Sequence, residues 1–514
     1  MILNQKWLIE LKRTANCLSP DELNMLRKHL LAYQNTYGNP DTKSLKLLEI
    51  LLANENPEET AKKLSAFKDL KNLCYRLQSK ITDVLLMDVN IHREGIYDAR
   101  DKTWADINKK HIKSRILLGR GLQQEAVGLY HHIIKKARQY EWYDILVEVL
   151  YKKLLFLNLR ISNLSSEKLR EEIARAEEAR KGVYISNLLY EELGLYEEFK
   201  GTSKFKTLYP EYQGKLKNAI AEIEKFYQQT NSVSIAYYLN NLKIEREQLD
   251  ENYEEAAIYC RYVVEIAMNS AVCTKHQLGL AYLNLAQNYL FMGDLAACIA
   301  HAREASGYFK KGSFNYSLSQ EVEFYGYFYG SQLEEAEKIM ASLYAATRHE
   351  VSPYKLSKRT YLFACVYFLK GEYKTSYTLL QHTKEIDKDK EGWNIGIRLL
   401  AIMNQVEMEN FDEAHNFIVN LRQYIDALKK TRVVKKRDLL IVKVLLQLDK
   451  ESFQTEKVLQ KKQEELHLLD SSDADYKWRV CSSEPIKFHK WIKAIANKKF
   501  KKDKQARIKF MLSA

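Results

Sequence analysis

Residues able to do chemistry are plentiful in this sequence, but their spacing does not assemble them into a reactive site. Asp412-Glu413-Ala414-His415 spells an acidic box of the kind that holds Mg²⁺ beside a nucleotide. Such a box needs a glycine-rich loop, G-x-x-x-x-G-K-[ST], whose backbone amides cradle the phosphates, and the sequence contains none. His131 and His132 are adjacent, so on a helix their rings diverge, whereas two ligands four residues apart would share a face. Carboxylates recur with a cation one helical turn on, as in Glu171 and Arg175, which is the pattern of a solvated face. The seven cysteines, Cys17, Cys74, Cys260, Cys273, Cys298, Cys365 and Cys481, include no C-x-x-C pair and read as separate thiols in a reducing cytoplasm. We expect no metal, no cofactor and no catalysis.

Two stretches carry binding chemistry instead. Phe324-Tyr325-Gly326-Tyr327-Phe328-Tyr329 places aromatics on every side of a helical turn. Either they pack between helices, or Tyr325 and Tyr329 face a partner and offer large area with few rotors. The second stretch lies near the C-terminus. Residues 429–514 hold 23 Lys and Arg against 11 Asp and Glu, and so carry +12 of the net charge of +13. Phe488, Trp491, Ile492 and Ile495 have the spacing of a docked helix face. Beyond them, Lys498, Lys499, Lys501, Lys502, Lys504, Arg507 and Lys509 read as a solvated basic end, or as a contact for nucleic acid or an acidic protein. Removing 498–514 is expected to leave the fold intact.

Only helices suit the elements that must position these residues. Six Pro and 18 Gly in 514 residues leave long proline-free stretches, and 46% hydrophobic with 29% charged composition supports a packed core. No apolar run is long enough to span a membrane, and the first residues do not read as a signal peptide. One phrase recurs. Its best copy is Tyr282-Leu-Asn-Leu-Ala286-Gln-Asn-Tyr289-Leu-Phe-Met-Gly293-Asp294-Leu-Ala-Ala-Cys298, and a second runs from Phe363 through Ala364, Tyr367, Gly371 and Tyr373 to Ser376. Partial copies end at Ala126, Ala256, Ala336 and Ala414. From 256 the marks fall at 298, 336, 376 and 414, in steps of 42, 38, 40 and 38, one helical hairpin per step.

The phrase resembles the tetratricopeptide repeat, with longer units than the standard one. The resemblance implies an all-α, right-handed α-solenoid of antiparallel helix pairs, with small residues such as Ala286 and Ala364 where helices cross closely. It also implies a concave groove. In the two best copies the residues expected there are Leu283, Asn284, Gln287 and Leu290, then Tyr361, Leu362, Cys365 and Phe368, more apolar than a reader of peptide backbone would be. Residues 1–90 read as a helical cap, 91–430 as the solenoid (clearest over 232–430), and 431–514 as a helical cap with the basic end. The arrangement also resembles long cytosolic bacterial repeat proteins. The function expected is a non-catalytic, cytoplasmic scaffold that binds a protein or peptide segment. An RNA- or DNA-associated protein anchored by its basic end is the alternative, and the sequence leaves the oligomeric state open.

Overall fold

The computed structural model describes residues 5–16, 18–32, 42–53, 57–86, 98–155, 166–196, 203–347, 353–383, 385–386, 389, 392–431, 433–497, 500 and 502–513. All regular structure among them is helical. The chain divides into two compact units, Met1–Ala137 with Asn158–Ile161, and Arg138–Leu157 with Ser162–Ala514. The division falls near 137, inside a helix. Residues 431–514 belong to the second unit because their helices share its core.

The first unit holds α1 (Lys6–Asn16), α2 (Pro20–Ala32), α3 (Thr42–Leu52), α4 (Pro57–Ser65), α5 (Leu70–Leu86), α6 (Ala99–Gly119) and most of α7 (Gln123–Gln139). A core of Leu8, Leu11, Leu26, Leu30, Leu48, Leu77 and Ile81 joins α1, α2, α3 and α5. A capping box starts α2: the Ser19 hydroxyl accepts from the Glu22 amide at 3.3 Å, and the Glu22 carboxylate accepts from the Ser19 amide at 2.7 Å.

The second unit continues through α8 (Tyr143–Leu155), α9 (Ser166–Gly194), α10 (Ser203–Thr230), α11 (Val233–Leu249), α12 (Tyr253–Asn269), α13 (Lys275–Met292), α14 (Leu295–Gly307), α15 (Phe314–Tyr329) and α16 (Leu333–Thr347). It goes on with α17 (Pro353–Leu369), α18 (Tyr373–Gln381), α19 (Trp393–Glu407), α20 (Phe411–Leu428), α21 (Lys436–Lys450), α22 (Thr455–Lys461), α23 (Gln463–Leu469), α24 (Phe488–Ala496) and α25 (Lys504–Leu512). From α11 to α21 each helix packs on its neighbours in sequence, and α13 also meets α15 as α17 meets α19, so the first helices of successive pairs stack. That is a solenoid of antiparallel helix pairs, and its repeats are tetratricopeptide-like.

One device builds the turn inside each of five successive pairs, α11–α12 to α19–α20. The first helix ends on a left-handed residue, at Glu251, Gly293, Ser331, Gly371 and Glu409. The next amide then reaches back to a carbonyl five residues earlier, as in Asp294 to Tyr289 at 3.0 Å and Glu372 to Tyr367 at 2.9 Å. This closure satisfies carbonyls that the helix end would otherwise strand. Four residues further on stands the small register residue, Ala256, Cys298, Ala336, Ser376 or Ala414, each wholly buried. Ala286 and Ala364 are also wholly buried, as close crossing requires. A sixth turn closes in the same way, Phe453 donating to Leu448 at 2.9 Å, but the buried residue after it, Val458, stands one position later.

Candidate binding face of the first helices

The polar box and the histidines resolve into structural roles. Asp412-Glu413-Ala414-His415 opens α20, with Ala414 in the core and His415 Nδ1 2.8 Å from Asp449 Oδ1. His131 is exposed, while His132 Nε2 lies 3.2 Å from Asp106 Oδ2. Glu171 and Arg175 form an exposed pair at 3.7 Å.

The residues expected to line an open groove are mostly enclosed. Leu283, Leu290, Tyr325, Tyr361 and Phe368 are buried, each at most 3% exposed. Leu362 and Cys365 are wholly buried too. Asn284 and Gln287 are half-buried, and the Asn284 amide donates to Asn241 Oδ1 at 3.4 Å. Packing between hairpins accounts for Leu283, Leu290 and Phe368. Tyr361, and Tyr329 beside Tyr325, are closed off for a different reason: the chain covers them with a later part of itself.

That covering is the irregular segment between α23 and α24. Lys477 Nζ and Arg479 Nη2 both reach the Glu251 carboxylate, at 2.7 and 3.0 Å, across the α11–α12 turn. Trp478 meets the Tyr329 ring edge-on at 5.6 Å, and the Cys481 amide donates to Tyr329 Oη at 3.3 Å, at the end of α15. Tyr361 Oη, on α17, donates to the Ser483 carbonyl at 2.9 Å. On α19 a Cβ at Gly396 would stand 2.0 Å from that same carbonyl oxygen, so only glycine admits the segment there. On α21, Arg437 grips Glu484 through Nε at 2.6 Å and Nη2 at 2.9 Å, with both side chains less than 10% exposed. The segment thus crosses from the far end of α15 to the near ends of α19 and α21, making contacts to backbone as well as to side chains.

Charge is heavily constrained at the root of this segment. Arg437 Nη1 also donates to the carbonyls of Leu469 and Tyr476, at 2.8 and 2.5 Å, and the Glu484 carboxylate accepts the Phe488 amide at 2.8 Å. His489 is buried between Arg437 and Asp470, and burial first, then Arg437, pushes its pKa down to about 3. Burial lowers Lys487 to about 8. Lys487 and Lys490 both donate to the Ser513 carbonyl, at 2.5 and 2.9 Å.

Phe488, Trp491 and Ile492 are wholly buried and Ile495 half-buried, so this helix docks as its spacing predicts. The basic end is less accessible than its composition suggests. Lys498, Lys499 and Lys501 lie outside the described residues. Lys502, Lys504 and Lys509 are exposed, but Arg507 is engaged with Glu407 and donates to Tyr373 Oη at 3.2 Å. Ile508, Met511 and Leu512 are buried, an amphipathic stripe that seats α25 against α24. Among the described residues of this end, Ile508, Met511 and Leu512 are therefore packed, against the expectation that 498–514 can be removed without cost.

No known protein-family model matches the chain, and no curated protein matches it. Among solved structures it is similar to a signal transduction ATPase with numerous domains, carrying a tetratricopeptide repeat sensor, from Pyrococcus horikoshii. That likeness covers 82% of this chain and 73% of the other, at 16% identity and a TM-score of 0.38.

Proposed function

We propose that this protein is a non-catalytic interaction scaffold whose stacked first helices bind a segment of another protein in a reducing cytoplasm. The observation that carries this reading is that the face already accommodates a peptide segment. Glu251, Tyr329, Tyr361 and Arg437, on four different helix pairs, hold side chains, an amide and a carbonyl of residues 477–484. The nucleic-acid alternative draws less support, because Arg507 is committed to Glu407. Affinity capture of the tagged full-length chain from its native cell, with and without nuclease, tests the reading. A protein retained equally in both lysates is expected. Retention of nucleic acid alone, or of protein lost on nuclease treatment, overturns it.

A further inference from the structure

Anchoring along the covering segment is uneven. From Ser483 onward it is buried, and Arg437 with Glu484 forms an enclosed, doubly bonded pair. Ahead of Ser483, residues 472–475, Lys477 and Arg479 are exposed, and Tyr476, Trp478 and residues 480–482 are half-buried. Its tip, residues 477–481, is held to the helix pairs by two exposed ion pairs to one carboxylate, one ring contact and one amide bond. Within the segment Trp478 Nε1 donates to the Glu484 carbonyl at 2.8 Å and Lys487 lies over its ring, while ahead of the tip Arg437 holds the Tyr476 carbonyl and Lys436 pairs with Asp475. Exposed ion pairs contribute little net stability, so the tip opens far more readily than the root. Glu251 itself occupies a left-handed turn position, φ +58°, where the equivalent turns at 293 and 371 use glycine, and Lys477 foremost holds its carboxyl below the usual range.

We propose that the surface made by Glu251 and Tyr329 takes, from a partner protein, a segment with an aromatic residue between two cations, and that Lys477-Trp478-Arg479 is its built-in competitor. The chemistry is set by what the site already holds. One carboxylate accepts two cations that flank an aromatic residue in sequence, and the Tyr329 ring meets that residue's ring at right angles while its hydroxyl accepts a backbone amide. A tethered competitor acts at an effective concentration of about a millimolar, so a partner must outcompete it and binding to the intact chain is attenuated.

This inference rests on the scaffold reading and is tested apart from it. The probe is a fluorescent peptide copying residues 475–482, with serine in place of the cysteine. Its binding is measured by anisotropy to the full-length chain, to the variant Lys477→Glu/Trp478→Ala/Arg479→Glu, and to that variant with Glu251→Lys added. Affinity for the loosened variant about tenfold or more above the unaltered chain, with the gain removed by Glu251→Lys, is the expected result. Equal affinities, no binding to a loosened variant that still unfolds cooperatively, or a concentration-dependent dimer in place of peptide binding each overturn it. Should the triple variant not fold, Lys477→Gln with Arg479→Gln carries the same comparison. Capture of a cellular partner that persists in Glu251→Lys would leave the scaffold reading standing and remove this one.

Discussion

Gly396 shows how much a single residue can decide here. Its missing side chain leaves room for the Ser483 carbonyl, so the methyl of Gly396→Ala must press on backbone, which cannot swing aside as the end of a flexible side chain can. We expect a loss of about 1–3 kcal/mol, read as a lower Tm. Arg437→Met should cost more, about 3–5 kcal/mol, because it leaves the Glu484 carboxylate buried without its partner. His489 sets a pH dependence. With a folded pKa of about 3, well below its ordinary 6.5, it stays neutral in the fold while the unfolded chain takes up a proton below pH 6.5. Its contribution to stability is therefore complete above pH 6.5 and is lost as pH falls from there towards 3. Urea unfolding at pH 7, 5.5 and 4.5 should show the unaltered chain losing more stability than His489→Gln. An equal loss in both would mean the ring is charged in the folded protein.

Among the elements, the turns were the most legible in sequence. Gly293 and Gly371 marked them because a left-handed cap favours glycine, and the buried small residues five positions on kept the register through every hairpin. The copies at Glu251, Ser331 and Glu409 lack glycine yet adopt the same conformation, which makes the turns a matched pair of experiments. Gly293 has open space around it, so Gly293→Ala should cost about 1 kcal/mol from backbone conformation alone. Ser331→Gly should shift stability the other way by a few tenths to about 1 kcal/mol, the relief of strain being partly offset by a freer unfolded chain. Ala286→Leu, at a wholly buried crossing, should cost about 1–3 kcal/mol. Unchanged urea midpoints in the glycine pair would show that these turns are not the constraint on the hairpins. The aromatic run was legible as unusual but not as enclosed. Tyr329 is covered by Trp478 and Cys481, some 150 residues away, and local periodicity carries no information about so distant a neighbour.

At the scale of the whole molecule, composition exposed the basic end but could not show that Ile508, Met511 and Leu512 are core. Ile508 sits between Arg507 and Lys509, and short amphipathic helices of high charge read as tails until their packing is seen. Deleting 498–514 should lower the Tm, since it uncovers the α24 face and leaves Glu407 without Arg507. An unaltered Tm would return these residues to the solvent. The covering segment also fixes an order of events. It follows every hairpin it touches, and the bond from Lys477 to Glu251 closes a loop of 226 residues. Contacts of such separation form late, after the local hairpins have made the surface they need. During refolding, the first-helix face should therefore exist open before it is covered, and Trp478 should report its closure as a slow final change in fluorescence after helix formation is complete. A newly folded molecule would thus pass through a brief receptive state, in which partners meet Glu251 and Tyr329 before the chain's own loop reaches them.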